Sequence, residues 1–358
     1  MMTYYDWPMH REGYDLDSQI GYGSFGSVHS AFVKEGPHTE EKVAIKIIEL
    51  EQFPDHNLEK IRKEIQIMRL SSHPNILNHY VCFTTQTQLW MVMPLMDCGS
   101  IGNILKYYYR GGIQDEILVA TILKEVLQGL EYFHEHNQIH RDVKAGNILL
   151  SRDGKIYLGD FGVASNLRVG KNAKTFTGSP CWMAPEVIES DSNNGYDFKA
   201  DIWSFGITAI ELVKGVPPLI EHPPMKIILM VKNSNPPQLG KDDDYDSSFK
   251  ELVNSCLQKD PSRRPTAETL LKKRFFHKAR DFEYVYTHLS QILPPLETMV
   301  NIPRSFLGLV QERKNSESDS WDFNVSSGNN SKSKNEDPLA GIGTDEEDPL
   351  DDIQEIDD

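Results

Sequence analysis

The residues best suited to chemistry lie between positions 140 and 160. Asp142 is followed by Lys144 and Asn147, and Asp160 comes 18 residues after Asp142. A carboxylate can take a proton from a hydroxyl, and an ammonium group can neutralise a phosphoryl group during its transfer. Carboxylate and amide oxygens are the ligands that Mg²⁺ prefers. A site that brought these four side chains together could transfer a phosphoryl group from a magnesium-bound nucleotide.

Two upstream motifs could hold such a nucleotide. The first is a loop that contains three glycines, Gly21, Gly23 and Gly26. Glycines let a backbone lie close over phosphates with its amides free to donate, although a plain glycine turn is the alternative. Val28–Phe32, after the loop, favours a strand over a helix and so argues against a dinucleotide-binding fold. The second motif is the predicted strand Val43–Ile48, on which Lys46 could hold the α- and β-phosphates.

In this order and at these distances, the motifs resemble the signature set of protein kinases. The resemblance implies an α+β fold with two lobes, a strand-rich N-lobe and a helical C-lobe, and it implies ATP and Mg²⁺ as cofactors. It also implies a role for each polar side chain: Asp142 as base, Lys144 at the γ-phosphoryl group, Lys46 at the other phosphates, Glu64 as the partner of Lys46, and Asn147 and Asp160 as metal ligands. Glu51 and Glu59 are the other candidates for the pairing with Lys46.

The adenine ring of ATP is expected to bind the hinge that begins at the gatekeeper residue, Met93. Adenine needs a carbonyl at Pro94 and a backbone N–H at Met96, and a proline lacks only the N–H. Ile20 and Val28, before and after the glycine loop, complete the expected nucleotide contacts.

Longer stretches resemble the sterile-twenty-like Ser/Thr kinases: Ile139–Asn147, Thr175–Glu186 and Tyr196–Gly206. Within that group the chain is similar to the germinal-centre-kinase subgroup of oxidative-stress-responsive kinase and its proline/alanine-rich relative. The resemblance implies a non-receptor Ser/Thr protein kinase in stress or ion-homeostasis signalling. It also implies that the upstream activators are the kinases known as with-no-lysine kinases and that cation–chloride cotransporters are typical substrates. A catalytically inactive, kinase-like adaptor is the alternative, and the intact set of catalytic side chains argues against it.

Two hydroxyl residues are predicted to be phosphorylated. Thr175 stands where relatives carry an activating threonine, and its phosphate could pair with Arg141 beside the catalytic base. Thr177 is the second candidate in this segment. Ser305 corresponds to a serine that relatives phosphorylate beyond the kinase domain, and an unmodified serine is the alternative there.

Other polar residues are expected to support the site. Ser179 could bridge the catalytic base and Lys144. Glu186 is expected to form a buried ion pair with Arg264, and Asp201 is expected to hold the backbone of the catalytic loop.

Composition limits the classes of partner. The formal net charge is −16, and eleven of the acids lie in Glu336–Asp358, after the last basic residue, Lys334. Nucleic-acid binding needs a basic stripe, whereas this acidic tail could recruit a basic partner. The N-terminus lacks the apolar core of a secretory signal, and no apolar stretch is long enough to cross a bilayer. We therefore expect a soluble, cytoplasmic protein that acts on protein substrates and does not insert into membranes.

Structural metal sites and disulfides are not expected. The four cysteines are widely spaced and lack a C-x-x-C pair, which indicates reduced thiols. Three histidines could be considered as a metal site: His134, His136 and His140. The first two close a helix and the third belongs to the catalytic loop, so metal binding is the minor alternative.

The chain is predicted to divide into an N-terminal segment over 1–13, a kinase domain over 14–277, a C-terminal extension over 278–311 and a disordered acidic tail over 312–358. Periodicity predicts helices at Leu58–Leu70, Leu118–Phe133, Lys199–Lys214, Phe249–Gln258 and Asp281–Ile292. It predicts strands at Gln88–Met93, Ile148–Leu150 and Lys155–Leu158, the last two joined through an Asp153-Gly154 turn.

Overall fold

The computed structural model describes residues 6–23, 26–52, 65, 71–160, 165–166, 178–189, 195–240, 243–296 and 298. These residues belong to the compact unit Met1–Phe323, and the second unit, Asn324–Asp358, lies outside them. They form a strand-rich N-lobe followed by a helical C-lobe, so the predicted α+β, two-lobed architecture is confirmed. The predicted acidic tail lies outside the described residues.

The N-lobe is built on a five-stranded antiparallel sheet with the strand order β1-β2-β3-β5-β4. Its strands are β1 (Tyr14–Gly23), β2 (Gly26–Val33), β3 (Lys42–Glu49), β4 (Val81–Thr85) and β5 (Gln88–Pro94). The predicted strands Val43–Ile48 and Gln88–Met93 lie within β3 and β5. The helix predicted over Leu58–Leu70 lies outside the described residues except for Ile65, which is helical.

Strand β3 is buried on both faces, which explains its nearly continuous apolar sequence. Ile45 packs on one side of the sheet with Trp90, and Ala44 packs on the other side with the hinge residue Met93. Because successive side chains of a strand point to opposite faces, Lys46 shares the face of Ala44. The alternation therefore directs Lys46 toward the hinge side of the lobe.

Residues before β1 contribute to the core of the N-lobe. Trp7 is only 3% exposed and is stacked between His38 and Tyr80, with ring centroids 4.1 and 4.0 Å away. The hydroxyl of Tyr14 donates a 2.7 Å hydrogen bond to the carbonyl of Pro8. The predicted boundary at residue 14 thus cuts through a packed unit, although the division of the chain as a whole stays a prediction.

The C-lobe is helical, with α1 (Ile101–Tyr107), α2 (Glu116–Glu135), α3 (Pro185–Ile188), α4 (Lys199–Lys214), α5 (Pro224–Asn233), α6 (Ser247–Cys256), α7 (Ala267–Leu271) and α8 (Phe282–His288). Asp115 caps α2, since its Oδ1 accepts from the N–H groups of Ile117 and Leu118. Helix α4 ends at Gly215, whose φ of 81° suits a glycine. Of the helices that the structure describes, none combines the length and the apolar character needed to span a bilayer.

Two short antiparallel pairs lie beside the lobes' junction: β6 (Gln138–Ile139) with β9 (Ser165–Asn166), and β7 (Ile148–Leu150) with β8 (Ile156–Leu158). The β7–β8 turn contains Gly154 at a φ of 88°, as the Asp-Gly signal predicts. The helix predicted over Lys199–Lys214 is confirmed as α4. The prediction of one helix over Asp281–Ile292 is wrong, because α8 ends at His288 and a separate 3-10 turn spans Ser290–Ile292.

Candidate active site

Asp142 lies at the centre of a hydrogen-bonded cluster. Its Oδ1 accepts a 2.8 Å hydrogen bond from the hydroxyl of Ser179, and its Oδ2 accepts a 2.9 Å bond from Asn147 Nδ2. Lys144 Nζ lies 3.0 Å from the same Oδ2 and donates a 2.7 Å bond to Ser179 Oγ. The expected bridge from Ser179 to both Asp142 and Lys144 is therefore present.

The electrostatics of this cluster keep Asp142 ionised. Burial alone would raise the pKa of its carboxyl group. The charge of Lys144 and the hydrogen bonds from Lys144, Ser179 and Asn147 outweigh burial, so the pKa lies below its ordinary value. A buried carboxylate held in the charged form is an acceptor that can orient a hydroxyl group.

Helix α4 holds the loop that carries Asp142. Asp201 is fully buried, and its carboxylate accepts from the backbone N–H groups of His140 at 2.9 Å and Arg141 at 2.8 Å. The Nε2 of His134 lies 2.9 Å from the same carboxylate. These bonds support the left-handed backbone of Arg141, whose φ of 72° is costly for a residue with a side chain. The expected scaffold role of Asp201 is confirmed.

The two side chains that could hold a magnesium ion are those of Asn147 and Asp160. The Nδ2 of Asn147 is committed to the carbonyl and carboxylate of Asp142, which leaves its Oδ1 as the possible metal ligand. Among the described residues, no hydrogen-bond donor reaches the buried Oδ1 of Asp160, and Lys46 Nζ lies 3.8 Å from it. A buried carboxylate oxygen without a donor, held at a φ of 58°, is the kind of ligand that a hard cation requires.

The histidine alternative for a metal site is not supported. The Nε2 of His134 contacts the carboxylate of Asp201, and the ring of His136 lies against the tilted ring of Tyr132 with a centroid distance of 4.1 Å. Within the described part of the chain, no group of three or more His, Cys, Asp or Glu side chains is arranged to hold a metal. This finding does not argue against Asn147 and Asp160 as metal ligands, because that pair contains only one carboxylate and so could not form such a group. In kinases, phosphate and water oxygens complete the coordination of the metal.

The predicted nucleotide residues line one side of the N-lobe. Ile20 and Val28 pack against a cluster that contains both Met93 and Met96. Lys46 is 6% exposed and pairs in register with Val28 on β2. Pro94 ends β5 at the start of the hinge. The strands thus place the expected phosphate and adenine contacts on one face of the sheet.

Ala44 and Leu149 are among the other residues of this cluster that the sequence did not identify as nucleotide contacts. Ala44 is buried in it, and Leu149 packs against it from β7, two residues beyond Asn147. The available signal was their position in the sequence, on the strand of Lys46 and close to Asn147.

The three loop glycines differ in their steric role. A Cβ at Gly26 would lie 2.0 Å from the carbonyl oxygen of Ile47, so only glycine fits there. A Cβ at Gly21 would meet nothing closer than Val28 at 3.8 Å, so its small size is not needed for packing. Gly23 pairs with Gly26 where β1 and β2 meet, and residues 24–25 at the loop tip lie outside the described residues.

Several predicted site residues also lie outside the described residues: Glu64, Thr175, Thr177 and Ser305. The pairing of Lys46 with Glu64 and the phosphorylation of Thr175 and Ser305 therefore stay predictions.

The segment that follows residue 178 is fixed by a buried ion pair. Arg264 is 1% exposed and binds both carboxylate oxygens of Glu186, at 2.5 and 2.8 Å. The guanidinium also lies 5.1 Å from the centroid of the Trp203 ring. The expected pair is confirmed, and its two parallel hydrogen bonds hold the start of α3 against the C-lobe.

A buried carboxylate beneath the site was missed as a functional residue. Glu211, on α4, accepts a 3.0 Å hydrogen bond from the N–H of Ala145 and a 2.9 Å bond from the indole N–H of Trp182. Burial raises its pKa to about 7. Glu211 thus links Ala145, which follows Lys144, to Trp182, which lies shortly after Ser179. In the sequence it stands out only as an acid inside an apolar helix.

Comparison with known proteins agrees with this geometry. The family model described as "Protein kinase domain" matches residues 14–276. The chain belongs to the protein kinase family. It is 42% identical over 343 residues to "Germinal center kinase 3" of Caenorhabditis elegans, an alignment that covers 90% of this chain and 56% of the relative. The predicted kinship with the germinal-centre, sterile-twenty-like kinases is confirmed.

Two relatives from Dictyostelium discoideum extend the comparison. The chain is 44% identical over 295 residues to "Serine/threonine-protein kinase fray2", covering 81% of this kinase and 28% of the relative. It is 41% identical over 300 residues to "Serine/threonine-protein kinase fray1", covering 82% of this kinase and 51% of the relative. The kinase thus spans between about a quarter and just over half of the length of these curated relatives.

Proposed function

We propose that this protein transfers the γ-phosphoryl group of MgATP to serine and threonine hydroxyls of protein substrates. The observation that carries the proposal is the cluster of ionised Asp142, Lys144, Ser179 and Asn147, together with the buried Oδ1 of Asp160, which accepts no hydrogen bond from the described residues and is the further metal ligand. Asp142 accepts or orients the proton of the substrate hydroxyl, and Lys144 offsets negative charge on the transferring group. Bound Mg²⁺ would supply charge neutralisation at the phosphates, with Asn147 and Asp160 as its protein ligands.

The proposed nucleotide site lies on the N-lobe and the hinge. Lys46 binds the α- and β-phosphates, the loop of Gly21, Gly23 and Gly26 covers them, and Glu64 pairs with Lys46. Pro94 and Met96 offer the carbonyl and N–H for adenine. The shared apolar cluster of Ile20, Val28, Met93 and Met96 supports this assignment.

Specificity for serine and threonine rests on Lys144 and on the relatives. The side chain of Lys144 occupies the space beside Asp142, where it contacts Ser179 and lies 5.9 Å from the centroid of the Trp182 ring. The fray kinases carry "Serine/threonine-protein kinase" in their names.

The cellular role proposed for the kinase is stress or ion-homeostasis signalling in the cytoplasm. Phosphorylation of Thr175 by an upstream kinase would place an anion near Arg141, and Ser305 is the second regulatory site. Cation–chloride cotransporters are the proposed substrate class, and a basic protein is the proposed partner of the acidic tail over 312–358.

The test is phosphoryl transfer to a peptide array with MgATP, for the wild type, Asp142→Asn and the control Asp15→Asn. Asp15 is an exposed carboxylate on β1, so its replacement should leave transfer unchanged. We expect Asp142→Asn to lose at least about a hundredfold in rate while it keeps its thermal stability. A wild type that binds ATP without transferring phosphate would instead support the inactive adaptor, and phosphotyrosine as the main product would refute the specificity.

A further inference from the structure

Residues 289–296, here called the C-terminal strap, follow the last residue of the kinase family match, residue 276. Their side chains are not loosely attached. Leu289, Ser290, Leu293 and Leu296 are all buried. The strap therefore packs as part of the kinase, although the family model ends before it.

Arg152, in the β7–β8 turn, holds the strap in place. Its Nη1 donates 2.8 Å hydrogen bonds to the carbonyls of both Ser290 and Leu293. Its Nη2 donates to the carbonyl of Pro294 at 3.2 Å and to that of Asp97 at 3.3 Å. One planar guanidinium thus joins three carbonyls of the strap to one carbonyl outside it.

The backbone of Arg152 reinforces the same junction. Its N–H donates a 2.7 Å hydrogen bond to Asp97 Oδ1, and its carbonyl accepts a 3.0 Å bond from the hydroxyl of Ser290. Residues 97–100 are here called the hinge-exit segment. Both the backbone and the side chain of Arg152 therefore bond to the strap and to this segment.

The hinge-exit segment connects the two ends of the proposed ATP site. It begins directly after Met96, and the N–H of Gly99 bonds to the Met96 carbonyl at 2.8 Å. It is also paired with β7, since Cys98 N–H donates to Leu150 O at 3.2 Å and Leu150 N–H donates to Gly99 O at 2.9 Å. Strand β7 starts directly after Asn147. A displacement of this segment would therefore shift both Met96, the proposed N–H donor to adenine, and Asn147, the proposed metal ligand.

Two glycines allow the C-terminal extension to come this close. Gly99 has a φ of 70°, and a Cβ there would lie 2.9 Å from Leu296 Cδ1. Gly154 has a φ of 88°, and a Cβ there would lie 2.2 Å from the carbonyl oxygen of Phe282. The contacts occur on both sides of Arg152, so the extension and the turn fit each other along a continuous surface.

We propose that Arg152 is a positioning residue for nucleotide binding, which fixes the C-terminal strap to the hinge-exit segment and thereby holds Met96 in place for adenine. The inference rests on the proposed function, because that proposal assigns adenine to the hinge. A purely structural arginine would affect unfolding alone, whereas a positioning arginine changes the KM for ATP.

The experiment compares the full chain with Arg152→Gln, Arg152→Lys, Leu296→Ala and the control Arg263→Gln, an exposed arginine away from the strap. We expect Arg152→Gln to raise the KM for ATP by about five- to tenfold with kcat within about twofold, a modest coupling between two sites. Arg152→Lys keeps a cation with fewer, differently placed donors and should recover part of the affinity. Leu296→Ala removes the strap side chain that packs against Gly99 of the hinge-exit segment but leaves Arg152 unchanged, and it should raise the same KM.

Two results would overturn the inference: an unchanged KM in Arg152→Gln with a lower melting temperature, or an unchanged KM in Leu296→Ala with full kcat. Lys46→Met, measured alongside, separates this failure from that of the proposed function. Wild-type transfer by Lys46→Met would refute the assigned ATP site. Loss of transfer by Lys46→Met, together with a wild-type KM in the Arg152 variants, would refute the role of the strap alone.

Discussion

Replacing Glu211 with glutamine is expected to stabilise the kinase at alkaline pH and to leave its stability at acid pH nearly unchanged. The carboxyl group is 6% exposed, and the two groups that bond to it, the N–H of Ala145 and the indole N–H of Trp182, are neutral. Burial raises its pKa from 4.5 to about 7, and these hydrogen bonds and the charge of Lys144 oppose that rise without cancelling it.

The sign of the pH dependence follows from the raised pKa. The folded state holds the proton more tightly than the unfolded state, so the stabilisation is fully present below about pH 4.5 and is lost as the pH rises through about 7. The rise from 4.5 to about 7 corresponds to a cost of about 3 kcal/mol for ionising the buried carboxyl group. Glutamine avoids this cost because it cannot ionise, and its carbonyl oxygen can accept the same hydrogen bonds.

Urea denaturation at about pH 4 and about pH 8.5 measures the effect. We expect Glu211→Gln to exceed the wild type in free energy of unfolding by about 3 kcal/mol at the higher pH and to match it at the lower pH. The control Glu51→Gln, at an exposed position, should show no such pH-dependent difference. A difference that does not change with pH would refute the reasoning, since it would show that ionisation of Glu211 is not what destabilises the wild type.

Three other changes have expected outcomes. Ser179→Ala removes the hydrogen bonds to Asp142 and from Lys144, so kcat should fall about tenfold in a steady-state assay while Ser179→Thr stays active; equal rates would contradict this role. Glu186→Gln leaves Arg264 as an uncompensated buried charge, so the free energy of unfolding should fall by about 3–5 kcal/mol in a denaturant titration, and a loss below about 1 kcal/mol would argue against it. Thr175→Ala should be nearly inactive, and mass spectrometry of active wild type should find Thr175 phosphorylated; wild-type turnover by the alanine variant would end the prediction.

The C-terminal helix shows where reading the sequence alone fails. The apolar pattern over Asp281–Ile292 predicts one helix, but Leu289 adopts φ −135° and ψ −67° and interrupts it. The hydroxyl of Ser290 then bonds to the carbonyl of Arg152, 138 residues away in the chain. A local pattern cannot reveal a partner so distant, and here the tertiary contacts override the helical periodicity.

Packing that begins before residue 14 was not predictable, for the same reason. Trp7 lies before the predicted domain, yet its ring is sandwiched between His38 and Tyr80, which come from two different parts of the lobe. Strand β3 was predictable because its own sequence is a nearly continuous run of Val, Ala and Ile interrupted by Lys46, and such a run is typical of a strand that is buried on both faces. The stacking of a single aromatic ring produces no comparable pattern in the neighbouring sequence.

Helix α4 shows that part of the missing information was present in the sequence. Asp201, Thr208 and Glu211 are separated by seven and three residues, so they lie along one face of the helix. That face binds the catalytic loop in order: Asp201 accepts from the first two residues of the motif, Thr208 donates a 3.1 Å bond to the carbonyl of Val143, and Glu211 accepts from Ala145.

Polar side chains are costly inside an apolar helix unless each has a partner. Three polar side chains on one face of an apolar helix therefore indicate that a segment of irregular backbone lies along that face and bonds to each of them. In this kinase the segment is His140–Ala145, and Asp142 lies between the residues that bond to Asp201 and those that bond to Thr208 and Glu211. The position of the Asp142 carboxylate, the proposed base, is thus set by the buried core of the C-lobe before any substrate binds.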